Sequence, residues 1–381
     1  MSGLRLLGLL LATVLLFVPT RAGAAQSQRS EVKVTAHGVV TLAMDGPRVA
    51  YASAGRIYVW NVATGSTSAV KGEYSNATHS INASQVAIAG TRVAWIKRVA
   101  YGNTEESEKL YTAPLGGPAQ VIAHGYIFGR EDSAHAVGGW IAGAVGSGKV
   151  LAVSTWKSND AATSHEKLSL ITHKGLRPIV TGPGAIVAEA ANGGHVAVLR
   201  SLAAWPADEP STPTTEPTVG IYSSDGKLLR EISLTTPIPP PPSSDGYYAS
   251  TLQNSVALSG NRLIVLTETS PETGPAPWTW TTTLQVFDWT TGSLLQTWPL
   301  SFKPFAINAA APLAAYGQYA AVEGRQLHLV DLASGKNTVV SGGAGSDAAL
   351  GPRGLVYATS GGKGHGKLVF QPLSKLPSLV G

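Results

Sequence analysis

The chain of 381 residues has no cysteine. That removes disulfides, thiolate metal ligands, cysteine nucleophiles and lipid attachment through an N-terminal cysteine together. Charge is sparse as well: Asp, Glu, Lys and Arg make up 13% of residues, and no run of Lys or Arg interrupts the apolar segments. The electrostatic footprint of a nucleic-acid binder is therefore missing. The nine histidines show neither i, i+4 nor His-x-His spacing, so no metal site is expected. No Gly-x-Ser-x-Gly nucleophile elbow occurs. The stretch Gly361-Gly-Lys-Gly-His-Gly-Lys367 has the spacing of a phosphate loop, but Leu368 stands where a Ser or Thr should bind magnesium, and an apolar strand pattern follows where a helix is needed. We expect no cofactor and assign no catalytic residue.

One long apolar run does occur, at the N-terminus. Arg5 gives a basic start, Leu6 to Val18 is apolar apart from Gly8 and Thr13, and Ala22-Gly-Ala24 is a small-x-small cleavage pattern. The run is short of the roughly 20 residues that span a bilayer. Residues 1–24 therefore read as a signal peptide and 25–30 as a short linker, which places the mature chain in the medium, periplasm or cell wall. Removing the two charges of Arg5 and Arg21 leaves +3 of the formal +5, a small excess consistent with loose affinity for anionic wall polymers.

Between Gly46 and Lys375 a two-part phrase recurs about seven times. Each copy opens with a glycine turn and an apolar run, as in Gly46-Pro-Arg-Val-Ala-Tyr, Gly90-Thr-Arg-Val-Ala-Trp and Gly260-Asn-Arg-Leu-Ile-Val. Each closes with a second run, as in Ile57-Tyr-Val-Trp-Asn-Val-Ala-Thr-Gly65 and Leu284-Gln-Val-Phe-Asp-Trp-Thr-Thr-Gly292. Strand-and-turn repeats of about 40 to 50 residues mark a β-propeller. We expect an all-β fold over 31–376: a single propeller, most simply of seven blades of four antiparallel strands, with six or eight open, and residues 377–381 as a tail. Alanine-rich runs such as Val86-Ala-Ile-Ala89 and Leu313-Ala-Ala-Tyr316 suit innermost strands, where blades converge. Asn61, Asp288 and Asp331, four residues before glycines, read as turn-fixing side chains. The last repeat lacks an outer strand, and Glu31-Val-Lys-Val-Thr35 has no partner of its own; pairing the two would close the ring.

A four-stranded meander sorts its loops to two ends, and the long insertions fall at one: Tyr101 to Lys109, Trp156 to Lys167, Ala203 to Thr218, Thr236 to Thr251 and Thr269 to Thr282. Loops on a rigid scaffold tend to carry function. Aromatic rings offer flat apolar platforms and carboxylates offer oriented acceptors, a combination suited to sugars or peptides. The expected binding set is Trp156, Trp205, Asp208, Glu209, Tyr247, Tyr248, Trp278 and Trp280. Covering of the blade ends by the rings, and solvation of the loops by the acids, is the competing structural reading.

Phrases such as Arg56-Ile-Tyr-Val-Trp-Asn-Val-Ala-Thr-Gly65 and Leu327-His-Leu-Val-Asp-Leu-Ala-Ser-Gly335 resemble the repeats of secreted bacterial β-propellers of the TolB-like and WD-like group. That resemblance implies a binding platform or scaffold for other proteins and specifies no ligand. Val286-Phe-Asp-Trp-Thr-Thr-Gly-Ser-Leu-Leu-Gln-Thr-Trp298 is similar to the quinoprotein repeat, in which a tryptophan after the turn docks blade to blade. We expect a monomeric, exported, non-catalytic propeller that binds a protein or glycan, and no nucleic acid, through its long-loop face. The alternative is a carbohydrate-active enzyme, a hydrolase or lyase, using acids such as Asp208 and Glu209 at the ring mouth.

Overall fold

The computed structural model describes residues 31–35, 41–53, 55–71, 81–101, 105–128, 137–158, 165–183, 185–201, 217–234, 250–270, 281–302, 313–324, 326–341, 348–361 and 365–380. The segments expected as signal peptide and linker lie outside them. Strand β1 is Glu31–Thr35, and β2 (Leu42–Asp45), β3 (Arg48–Ser53), β4 (Arg56–Asn61) and β5 (Thr67–Ala69) form a four-stranded meander. An eight-stranded sheet follows: β6 (Ile81–Ala89), β7 (Arg92–Tyr101), β8 (Glu105–Pro114), β9 (Gln120–Phe128), β10 (Val137–Ser147), β11 (Val150–Ser158), β12 (His165–Thr172) and β13 (Gly175–Pro183). Four-stranded meanders resume with β14 (Ala185–Asn192), β15 (His195–Ser201), β16 (Thr218–Ser223) and β17 (Leu228–Ser233). The next holds β18 (Ser250–Ser259), β19 (Arg262–Ser270), β20 (Thr281–Asp288) and β21 (Ser293–Leu300). After it come β22 (Leu313–Tyr316), β23 (Tyr319–Glu323), β24 (Leu327–Asp331) and β25 (Asn337–Ser341). The last sheet has β26 (Ala348–Gly351), β27 (Gly354–Gly361) and β28 (His365–Pro372), with β1 as its fourth strand.

Strands β2, β6, β10, β14, β18, β22 and β26 are innermost. Each packs on the next around a central channel, and β26 packs back on β2. The alanine-rich runs Val86–Ala89 and Leu313–Tyr316 lie in this ring as expected, where small side chains let backbones converge. Apolar residues on both faces of each sheet are shared with its neighbours. Val49, Trp60 and Val62 meet Val356, Leu368 and Phe370, while on the opposite face Ala50, Ile57 and Val59 meet Val86, Val93 and Trp95. Similar clusters join β6–β8 to β10–β12, β10–β13 to β14–β16, and onward until Leu327 and Leu329 meet Leu350 and Leu355. The described residues thus form an all-β propeller.

The expectation of seven separate four-stranded blades needs correction. There are five separate four-stranded sheets, and the remaining eight strands form one continuous sheet. The join is short: β9 and β10 pair only through Tyr126–Phe128 and Val137–Gly139, because both strands run on past the end at which sheets normally part. Strand β1 pairs antiparallel with β28, from Glu31 opposite Val369 to Thr35 opposite His365, and Lys367 Nζ lies 2.9 Å from a Glu31 carboxylate oxygen. The expected tail begins as a short helix, Pro377–Val380, after a 3-10 turn at Leu373–Lys375, and between them Leu376 is fully buried.

The turn chemistry is as the spacing predicts. Asn61, Asp288 and Asp331 accept the backbone N–H two residues on, at 3.0, 2.9 and 2.8 Å. Gly335 follows with φ +71°, and an added Cβ there would lie 2.3 Å from the ring of Trp298. That ring, from β21, also donates its indole N–H to the Leu332 carbonyl at 2.9 Å, so Trp298 docks one sheet on the next. The same turn-bearing end is stitched by short polar side chains. Asp45, closing β2, accepts the N–H of Gly90 at 2.6 Å and of Gly148 at 2.9 Å, one from each half of the eight-stranded sheet. Ser147 accepts the Gly193 N–H at 3.2 Å. Asp45→Ala leaves both turn N–H groups without this acceptor, and we expect a loss of about 1–3 kcal/mol in urea unfolding with an unchanged m-value.

Candidate functional site

Antiparallel pairing puts the hairpins between innermost and second strands at one end of the barrel-like ring, and the connections between second and third strands at the other. The longest connections, 70–80, 202–217, 235–249, 271–280 and 301–312, all leave from this second end, where the fourth strands also cross to the next innermost strand. Two expectations change. Tyr101 to Lys109 is not an insertion, because β7 and β8 extend to Tyr101 and Glu105 and leave only 102–104 between them. Trp156 is a strand residue, paired with Trp140 of β10 on one side and Glu166 of β12 on the other. Trp205, Asp208, Glu209, Tyr247, Tyr248, Trp278 and Trp280 lie outside the described residues.

The structure places beside Trp156 a set of carboxyl groups that the spacing of motifs did not single out. In the β6–β9 half, Glu108 on β8 is buried and ion-paired with Arg98 on β7, Nε to Oε1 at 2.5 Å. Its other oxygen accepts the N–H of Ile141 on β10 at 2.5 Å, and Arg98 donates to the Ile141 carbonyl at 3.2 Å. The guanidinium also lies 5.0 Å from the centre of the Trp140 ring, a cation–π contact. One blade on, the device repeats without a cation at the cross-strand position. Glu166 on β12 accepts the N–H of Ile186 on β14, but the residue across from it is Trp156 where the first copy has Arg98. Ile141 and Ile186 each open a β-bulge in their innermost strand, which frees the backbone N–H that the glutamate takes up.

Glu189 is the second unusual acid. Counted back from the turn, its place is filled by Leu42, Val86, Ala144, Val256, Leu313 and Ala348 in the other innermost strands. Room for a carboxylate exists because residue 143 on β10 is glycine: a Cβ there would lie 1.8 Å from Glu189 Oε1. Ser154 on β11 donates its hydroxyl to the same oxygen at 2.8 Å. Glu189 lines the central channel, a cavity of about 250 Å³ bordered by all the innermost strands. Such a space is at the small end for ligand pockets.

Burial pushes the Glu166 carboxyl up to about 7; the Ile186 N–H and the nearby Arg200 pull it down less than burial raises it, and Glu189 pushes it further up. Glu189 is likewise raised to about 7 by burial, against the Ser154 hydrogen bond. Two carboxyls facing one seam can therefore hold or release protons near neutrality. By contrast, His328 on β24 is a core group, stacked on Phe302 with ring centres 3.5 Å apart, and burial lowers its pKa despite a hydrogen bond with Asn337. Among the described residues no three His, Asp or Glu side chains gather in a metal-binding group.

Both glutamates bind a proton more tightly in the folded chain than at the ordinary value of 4.5. Their stabilising contribution is complete below about pH 4.5 and is lost as pH rises to about 7. The double substitution Glu166→Gln and Glu189→Gln keeps both acceptors. The wild type should lose denaturation midpoint relative to this variant between those pH values, and parallel curves from pH 4 to pH 8 would show that the seam does not titrate.

No protein-family model matches the chain, and no sequence among the curated proteins does. Among solved structures it is similar to the Dos1 propeller, at 9% identity over 90% of this chain and 94% of that one, with a TM-score of 0.45. It is also similar to Porphyromonas gingivalis dipeptidyl peptidase 4, at 10% identity over 82% of this chain and 48% of that one, TM-score 0.43. A europium-containing methanol dehydrogenase aligns at 10% identity over 84% and 72%, TM-score 0.38. Likenesses at this level carry no conclusion about activity, and the fold rests on the sheets and their shared apolar seams.

Proposed function

We propose that this chain is an exported, non-catalytic propeller that binds a protein or a glycan through the end of the ring bearing its long connections. The observation that carries this reading is the one-sidedness of those connections: the end with the hairpins is stitched tight by Asp45, Ser147 and their glycine partners, while 202–217, 235–249 and 271–280 leave from the other. A rigid scaffold with variable loops on one end is the general arrangement for recognition. In sequence those connections carry Trp205, Asp208, Glu209, Tyr247, Tyr248, Trp278 and Trp280, and they leave from the same end of the ring as the end of β11 that carries Trp156. Export is supported by the N-terminal signal pattern, and no helix among the described residues is long and apolar enough to cross a membrane.

The same reading counts the eight-stranded sheet as two blades fused at one corner, which makes a ring of seven closed by β1. It is supported by the order of innermost strands around the channel and by the pairing of β1 with β28. Like the TolB-like and WD-like propellers that the repeats resemble, the chain would act as a monomeric platform for a partner outside the cytoplasm. Replacing Trp205, Trp278 and Trp280 with alanine should weaken capture of partners from culture supernatant or of immobilised wall glycans by at least tenfold, with thermal stability little changed. Unchanged capture by the triple variant removes the site.

One observation favours a second reading, a carbohydrate-active enzyme: Glu166, at the same end of the ring, is a carboxyl poised near neutrality, as general acid catalysis requires. Turnover on a polysaccharide panel, abolished by Glu166→Gln, Asp208→Asn or Glu209→Gln, would establish the enzyme; inertness on the panel leaves the binder.

A further inference from the structure

Among the described residues, the central channel has charge of one sign only. The chain as a whole carries an excess of basic residues, yet the only charged side chains lining the channel among the described residues are Asp45 and Glu189. They differ in what they do. Both oxygens of Asp45 are engaged by turn N–H groups, at the hairpin end. Glu189 has one oxygen held by Ser154, and no other described residue donates to it. It is half-buried, and it stands where every other innermost strand has an apolar residue, in a place kept open by Gly143. The rest of the wall is formed by the inner edges of the innermost strands, whose lining residues have no strand partner on the channel side, and by small polar groups such as Thr41, Ser147 and Asn192.

We infer that the channel is a binding site for a small molecule bearing a protonated primary amine, with Glu189 as its anionic anchor. A carboxylate partly removed from water is destabilised without a counter-charge, and an ammonium group brings both the charge and three donors. Those donors match Glu189 and the carbonyl oxygens of the strand edges. A bare metal ion fits less well, since a single carboxylate is far from the six or more oxygens that calcium takes. The cavity of about 250 Å³ limits the ligand to the size of a small amine or one amino sugar. This site lies on the ring axis and does not depend on what the long connections bind.

The test is calorimetric titration of the full mature chain at pH 8 with ethanolamine, with glucosamine, and with N-acetylglucosamine as the uncharged counterpart. Binding of ethanolamine, of glucosamine or of both is expected, with no binding of N-acetylglucosamine; the arm that binds more tightly identifies a free amine or an amino sugar as the source. Glu189→Gln should weaken the amine at least tenfold while retaining the circular-dichroism spectrum and melting no lower than the wild type. Ser154→Ala, which frees the carboxylate without removing it, serves as the second variant and should weaken binding by a smaller factor. No heat from either amine at millimolar concentration, equal binding of N-acetylglucosamine, or affinity unaltered in both variants would overturn the inference.

Discussion

Every sheet in this molecule is apolar on both faces, and each face must be covered by a neighbour. Leu263 and Val265 of β19 pack toward β14–β17, while Ile264 and Leu266 of the same strand pack toward β22–β24. Period-two alternation thus serves two seams at once. The short uninterrupted runs, the absence of polar alternation and the lack of any need for cysteine all follow from it. A sheet removed from the series would expose both of its partners, so the circle is the smallest unit that hides all the apolar surface.

Within that circle, two glutamates stand where a backbone group needs an acceptor. Glu108 and Glu166 occupy matching places on successive third strands and each takes up an N–H released by a bulge. Arg98 pairs with the first; the second lies across from Trp156, and burial raises its pKa to about 7. The two copies show how little separates a structural ion pair from a group with proton chemistry. The cross-strand neighbour differs, a guanidinium in the first copy and an indole in the second, and burial of the second carboxyl is what raises its pKa.

The architecture was legible because it depends on period and punctuation. Gly46, Gly90, Gly260 and Gly317 all take positive φ at the hairpins that the phrases open with, and the Asx turns at Asn61, Asp288 and Asp331 sit where their spacing to glycine put them. The fused sheet was not legible, since nothing in Tyr126–Phe128 or Val137–Gly139 distinguishes a strand that runs on from one that stops. The extension of β7, β8 and β11 past the expected loop borders has the same origin, and it moved Trp156 from loop to strand. The acids of the seam were missed for another reason. Glu166 and Glu189 belong to no motif, and only alignment of the chain with itself, strand by strand, shows Glu189 at a place otherwise held by Leu, Val or Ala. That comparison of internal copies was the one signal in the sequence that could have found it.

Strand β1 joins β28 across nearly the whole chain; the contact between Lys367 and Glu31 spans 336 positions. During synthesis β1 is made long before its partner β28 and waits for it. Loop-closure entropy grows only logarithmically with length, so the delay weakens the final pairing little. Its effect is temporal: an unmated strand edge stays open to wrong neighbours until the last blade arrives. The acidic Glu31 and basic Lys33, set among the valines of this short strand, are the kind of residue that keeps such an edge from pairing with another copy while it waits.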